Sequence, residues 1–155
     1  MPSATPLNDP LISTFGRLAE AYNRLEQWLG SAMESETGLP HAWFEVLIRL
    51  ARSEREQLTM SSLADQIALT SGGVTRLVDR MQTAGYVERR PCPTDRRVSY
   101  AGITAAGHDA LERAATVHAR NLRKAFDGFS ARDLAALDAV LDRVRDSASA
   151  LPRQP

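Results

Sequence analysis

Cysteine is almost missing from this sequence. Cys92 is the only one in 155 residues, which excludes an internal disulfide framework. Long apolar runs are missing too: nothing approaches the roughly 18 consecutive apolar residues that a membrane helix requires. The start, "MPSATPLNDP", carries neither the basic nor the apolar block of a secretory signal, so the expected compartment is the cytoplasm and no membrane partner is expected. Net charge is absent, with 19 basic residues against 19 acidic, so any polyanion-binding role has to rest on local charge. Lysine is nearly absent: Lys124 stands beside 18 arginines. A GC-rich coding genome accounts for that bias as a whole, so the position of each arginine matters more than their number.

The motifs of catalysis and of metal binding are lacking as well. No HExxH pair, Cys/His cluster, G-x-S-x-G elbow or phosphate-binding G-x-x-x-x-G-K-[ST] loop occurs. His41, His108 and His118 are scattered. The expectation is a protein that is not an enzyme and that has no metal and no cofactor.

Proline is absent from three long stretches, 11–39, 41–90 and 94–151, which leaves room for long helices. In the first, Leu11, Phe15, Leu18, Tyr22, Leu25, Leu29 and Met33 recur at steps of three and four. That is one apolar stripe on a helix of more than six turns, closed by Gly38 and Pro40. The last stretch repeats the theme. Thr104 is a candidate N-cap for a helix through Leu111, Ala115, His118, Leu122 and Phe126, ended by Gly128. Ser130 caps another, striped by Leu134, Leu137, Leu141 and Val144. An intramolecular bundle is one way to bury these faces. A two-fold dimer of interleaved chain ends accounts better for the length of the first helix. Leu11, Phe15, Leu18, Tyr22, Leu122, Phe126, Leu137 and Leu141 are the candidate dimerisation residues.

The middle differs. "HAWFEVLIRLAR" (41–52) is apolar on two faces and is expected to be sandwiched. After the charged turn "SEREQ", Thr59 and Thr70 cap two short helices joined by the turn "ALTS", a helix-turn-helix pattern. Gly85 then fits a helix C′ position, and "YVERR" and "RVSYAGI" flank the stiff turn "PCPTD" as a β-hairpin. Between Ser71 and Tyr100 lie six arginines and three acids, a local charge of +3 in a neutral chain. Gly72 and Gly73 open the second short helix at a cost of roughly 0.5–1 kcal/mol each relative to alanine. They either loosen a turn or clear a path for a phosphate or base edge to reach the free N–H groups.

Residues 63–111, "LADQIALTSGGVTRLVDRMQTAGYVERRPCPTDRRVSYAGITAAGHDAL", resemble the MarR/SlyA family of winged helix-turn-helix regulators. The "VTRLVDRM" helix, the "DRR" hairpin tip and the "ITAAG" start of the next helix carry the resemblance. It implies a mainly α fold with a small β-hairpin wing: a winged helix-turn-helix at 37–103, plus an interleaved terminal-helix dimerisation layer from 7–36 and 104–150. It also implies a homodimer that binds double-stranded, pseudo-palindromic DNA, as a repressor. Ser71, Gly72, Gly73, Thr75, Arg76 and Arg80 would face the major groove or its phosphates. Arg97, oriented by Asp95 and flanked by Arg96, would reach the minor groove. Family members often bind a small aromatic or phenolic effector, for which Trp28, His41, Trp43 and Phe44 are the candidates here. The rival readings are a constitutive or architectural DNA-binding protein without effector, and a helical protein-interaction module whose hairpin meets an acidic partner. Cys92, between two prolines, is a candidate redox thiol with no cationic neighbour in view.

Overall fold

A computed structural model describes residues 6–67 and 69–152; most of the two proline-bearing tails, and Ala68 of the "ALTS" turn, lie outside them. The chain divides into two compact units, Met1–Asn121 and Leu122–Pro155.

The first unit begins with α1, Pro10–Thr37. Asp9 caps it by accepting the Leu11 N–H at 2.8 Å, and Pro10 occupies the first turn, where no N–H is needed. Gly38 ends it in the left-handed region at φ 71°, which a glycine adopts without a Cβ penalty. The expected stripe is there, but only its lower end is covered. Leu29 and Met33 are buried, while Leu11 and Phe15 are 75 % and 71 % exposed.

Helix α2, His41–Arg52, buries Phe44, Val46, Leu47 and Leu50, as its two apolar faces require. The chain then turns through Arg55 and Glu56, both at positive φ (56° and 54°). The Ser53 hydroxyl holds the bend, 2.6 Å from the Leu50 carbonyl and 2.9 Å from that of Gln57. Beyond the bend Gln57–Thr59 form a strand, β1, so the wing is not the bare hairpin expected from its two extended runs. With β2 (Val87–Pro91) and β3 (Ser99–Ile103) it makes an antiparallel sheet of order β1-β3-β2. Ala101 of the central strand faces Leu58 on one side and Arg89 on the other. The inward burial also begins later than the Val98/Tyr100 alternation implies, at Ala101, Gly102 and Ile103. Val98 instead closes the turn, its N–H donating to the Asp95 carbonyl at 3.1 Å.

The helix pair is α3, Met60–Gln66, and α4, Ser71–Thr83. Both threonine caps form: Thr59 Oγ1 accepts the Ser62 N–H and Thr70 Oγ1 the Gly73 N–H, each at 3.1 Å. Val74, Leu77, Val78 and Met81 turn inward. Gly85 follows at φ 84°.

Helix α5, Ala105–Ala125, starts at Thr104, whose hydroxyl accepts the Gly107 N–H and donates to the Gly85 carbonyl at 2.6 Å. Its buried side is Gly107, Ala110, Leu111, Ala114 and Asn121, a face offset from the expected Leu111–Ala115–His118 stripe. Small residues win here because they permit close approach. A Cβ on Gly107 would lie 2.2 Å from the Tyr86 carbonyl oxygen.

The second unit holds the end of α5 and α6, Ala131–Ser149. Ser130 and Asp133 form a reciprocal capping box. In α6, Leu137, Val140, Leu141 and Val144 are exposed. Among the described residues no helix is long and apolar enough to cross a membrane.

Candidate nucleic-acid interface

One face of α4 is cleared for contact. Its buried side packs into the core, and Ser71, Gly72, Thr75, Arg76 and Arg80 are exposed on the other. The two glycines differ in their surroundings. A Cβ on Gly73 would sit 3.2 Å from Thr70 Oγ1, so the cap itself favours glycine there. A Cβ on Gly72 would meet nothing within 4 Å, so no packing within the chain asks for glycine at that position.

The hairpin tip is set by Asp95. Its Oδ1 accepts the Arg97 backbone N–H at 2.9 Å and Arg97 Nε at 3.4 Å, while the Arg97 side chain stays 92 % exposed. Arg97, Val98 and Ser99 share a depression of about 240 Å³ with Ser71, Val74 and Thr75 of α4 and with Thr59, Met60 and Ser61 at the start of α3. The helix start and the wing root thus open onto one hollow. Ser61 joins this hollow without belonging to any sequence motif; its place just after the Thr59 cap is the one signal the chain order offers.

The +3 count does not act as a block. Arg89 pairs with Asp79 at 2.7 Å. Arg90 pairs with Glu88 at 2.7 Å and reaches Gln57 of β1 at 3.2 Å. Arg89 thus ties β2 to α4, and Arg90 serves the sheet. Arg76, Arg80 and Arg96 are exposed and have no ion-pair partner among the described residues.

The MarR family model matches residues 37–98, from the end of α1 to the hairpin tip. Over those residues the chain is similar to the MarR family. Among curated relatives it is 31 % identical to the uncharacterized HTH-type transcriptional regulator YkoM of Bacillus subtilis, over 46 % of each chain, so the match spans about half of that relative. Among solved structures it is similar to AbsC, a MarR family transcriptional regulator from Streptomyces coelicolor (TM-score 0.78, 26 % identity, 92 % of this chain and 97 % of that one). A second MarR family transcriptional regulator from the same organism, crystallised in complex with DNA, matches at TM-score 0.78 and 28 % identity over 97 % and 92 %. The mainly helical architecture with a small antiparallel sheet is that of these winged-helix structures. A family of transcriptional regulators rather than enzymes agrees with the lack of catalytic motifs.

The four residues expected at a MarR-type effector site stand in different surroundings. Trp28 is 46 % exposed on α1, and Phe44 is buried in the core. Trp43 packs edge-on against Tyr86, ring centroids 5.9 Å apart. Of the four, His41 alone lines the cleft of about 340 Å³ that runs from Tyr22, Glu26, Glu45 and Arg49 to Gln66 and Leu77. Here the fold assembles something that no sequence motif announces: Glu26 of α1 with His41 and Glu45 of α2, their donor atoms all within 4.8 Å of one another. Burial, then the carboxylates of Glu26 and Glu45, push the Tyr22 phenol above its ordinary pKa. His118 lies beside this group, its ring centroid 6.3 Å from that of His41. Burial first, then the neighbouring His41, lowers its pKa. Cys92 is half-buried, with Sγ 3.4 Å from the Thr94 hydroxyl, and that hydrogen bond draws its thiol pKa down.

Proposed function

We propose that this protein is a transcriptional regulator that binds pseudo-palindromic double-stranded DNA as a homodimer, and that it acts as a repressor in the cytoplasm. The observation that carries the reading is the hollow shared by Ser71, Thr75 and Arg97, together with the exposure of Arg76, Arg80 and Arg96. Ser71, Gly72, Gly73, Thr75, Arg76 and Arg80 present the start and outer face of α4 to a major groove. Arg97, braced by Asp95, enters the flanking minor groove, where a narrow A·T-rich segment concentrates negative potential. Arg96 meets the adjacent phosphate. The DNA-bound relative from Streptomyces coelicolor supports the same use of the fold.

The dimer rests on unpartnered apolar surface. Leu11, Phe15, Leu18 and Tyr22 on α1, and Leu137, Val140, Leu141 and Val144 on α6, are exposed. Two such stripes at helical spacing call for another helical surface. A second copy supplies it, and Leu122 and Phe126 are further residues assigned to that contact. Two recognition helices then meet half-sites about 34–36 Å apart.

The test is fluorescence anisotropy with the intergenic DNA upstream of the protein's own gene. The reading requires sub-micromolar binding to one fragment, with the logarithm of the binding constant falling as the logarithm of salt rises. No preference for that fragment over random DNA at any salt sinks it. A small aromatic or phenolic effector would enter by the cleft at His41. Titration of such compounds into the complex releases the DNA on this reading; no release leaves a DNA-binding protein without an effector.

A further inference from the structure

We propose that Glu26, His41 and Glu45 form a binding site for a divalent first-row transition ion, with Zn²⁺ as the type ion, that clamps α1 to α2.

The donor set is built from two helices. His41 and Glu45 stand one turn apart on α2, and Glu26 faces them from α1. His41 Nδ1 is 3.2 Å from Glu26 Oε2. A tetrahedral ion with bonds of about 2.1 Å sets its donors roughly 3.4 Å apart, so that pair is already at ligand spacing. Glu45 Oε1 lies 3.8 Å from His41 Nε2, too far for a hydrogen bond, and Nε2 is buried without any hydrogen-bond partner. An ion binds one nitrogen of the ring, so Glu45 has to swing from the Nε2 edge toward the ion held by Nδ1 and Glu26; the three donor atoms already lie within 4.8 Å of one another.

Two further features shape the site toward a cation. Gly30, one turn beyond Glu26, lets the imidazole lie against α1: a Cβ there would be 3.2 Å from His41 Cβ. The Arg49 guanidinium holds Glu45 Oε2 and leaves Oε1 turned to His41. An outer partner of this kind orients a ligating carboxylate. One imidazole and two carboxylates, all half-buried at the edge of a cleft that admits water, make a three-ligand site with an open position. That chemistry suits Zn²⁺, Mn²⁺ or Fe²⁺ rather than Ca²⁺, which takes six or more oxygens.

The bland alternative is His41 standing between two carboxylates with no ion. Zn²⁺ competition against a chromogenic chelator, on the full chain stripped of metal, separates the two. The proposal requires one Zn²⁺ per chain and a rise in melting temperature on adding it. Glu26→Gln and Glu45→Gln each weaken binding by more than about tenfold, while keeping the metal-free circular dichroism spectrum and melting temperature. His41→Asn abolishes binding, and Co²⁺ gives a visible absorption band that the Glu26→Gln variant loses. Zn²⁺ binding of undiminished affinity in Glu26→Gln and Glu45→Gln, or no retention by the native chain against the chelator, overturns it. These readouts do not involve DNA and stand apart from the function proposed above.

Discussion

Arg89 of β2 and Asp79 of α4 meet at 2.7 Å, tying the wing strand to the outer face of the second helix of the pair. The Asp79 side chain is 58 % exposed, so the pair contributes less than about 1 kcal/mol to stability. Its effect lies in charge. Asp79→Asn leaves the melting temperature nearly unchanged and releases Arg89. Binding to random DNA then tightens at low salt, and discrimination between operator and random DNA falls. Salt titrations with both DNAs check this; unchanged discrimination refutes the role given to the pair.

Arg97→Ala is expected to weaken operator binding by at least tenfold and to reduce the salt slope by about 0.9 if one phosphate contact goes with it. Sedimentation should show the dimer intact. Asp95→Ala keeps the Arg97 charge but loses the hydrogen bonds that fix the Arg97 backbone and side chain. Its effect should therefore be smaller than that of Arg97→Ala. Equal affinities for all three proteins would remove the wing from the interface.

Two buried glycines predict different outcomes for the same substitution. On Gly107 a Cβ would lie 2.2 Å from the Tyr86 backbone oxygen and 2.8 Å from Ile103 Cγ1. Neither can step aside cheaply, so Gly107→Ala should cost about 1–3 kcal/mol or more in urea unfolding. On Gly102 the clash is with the far end of Arg90, 2.4 Å from its Cζ, and that flexible side chain can swing out. Gly102→Ala should cost clearly less than Gly107→Ala, and the reverse order would contradict the packing described.

Leu18→Asp should split the proposed dimer. Leu18 is 41 % exposed on the uncovered end of the α1 stripe, so the folded unit should survive as a monomer with weakened operator binding. A dimer of native affinity would move the interface elsewhere.

His118 makes acid sensitivity testable. Burial and His41 hold its folded pKa below the ordinary value, so between that lowered value and about 6.5 the unfolded chain binds more protons than the folded one. Stability therefore rises with pH through this window and falls on acidification below about 6.5. His118→Gln should flatten that part of the curve of unfolding free energy against pH. An unchanged slope would assign the sensitivity to other groups.

Much of the fold is legible in the residues themselves. The α1 stripe, the threonine caps at 59, 70 and 104 and the positive φ of Gly85 are local, and local rules of capping, periodicity and turn chemistry find them; the Asp95–Arg97 contact follows from the family resemblance. The strand at 57–59 escapes those rules because three residues carry no period and the bend before it uses two non-glycine residues at positive φ. The true face of α5 escapes them because Gly107, Ala110 and Ala114 score weakly as apolar yet bury by close approach. His41 and Glu45 can be paired from their spacing, but nothing in the chain order joins them to Glu26, fifteen residues before His41 and on another helix.

Local chemistry alone dictates the helices, their caps, the hairpin of the wing and the signs of charge along it, because each depends on neighbours within a few residues. Three outcomes need the assembled core: which arginines are spent inside the sheet, which glycine the packing requires, and which carboxylates gather at His41. Those depend on distances between segments far apart in the chain, and such distances are set only when the segments pack against one another.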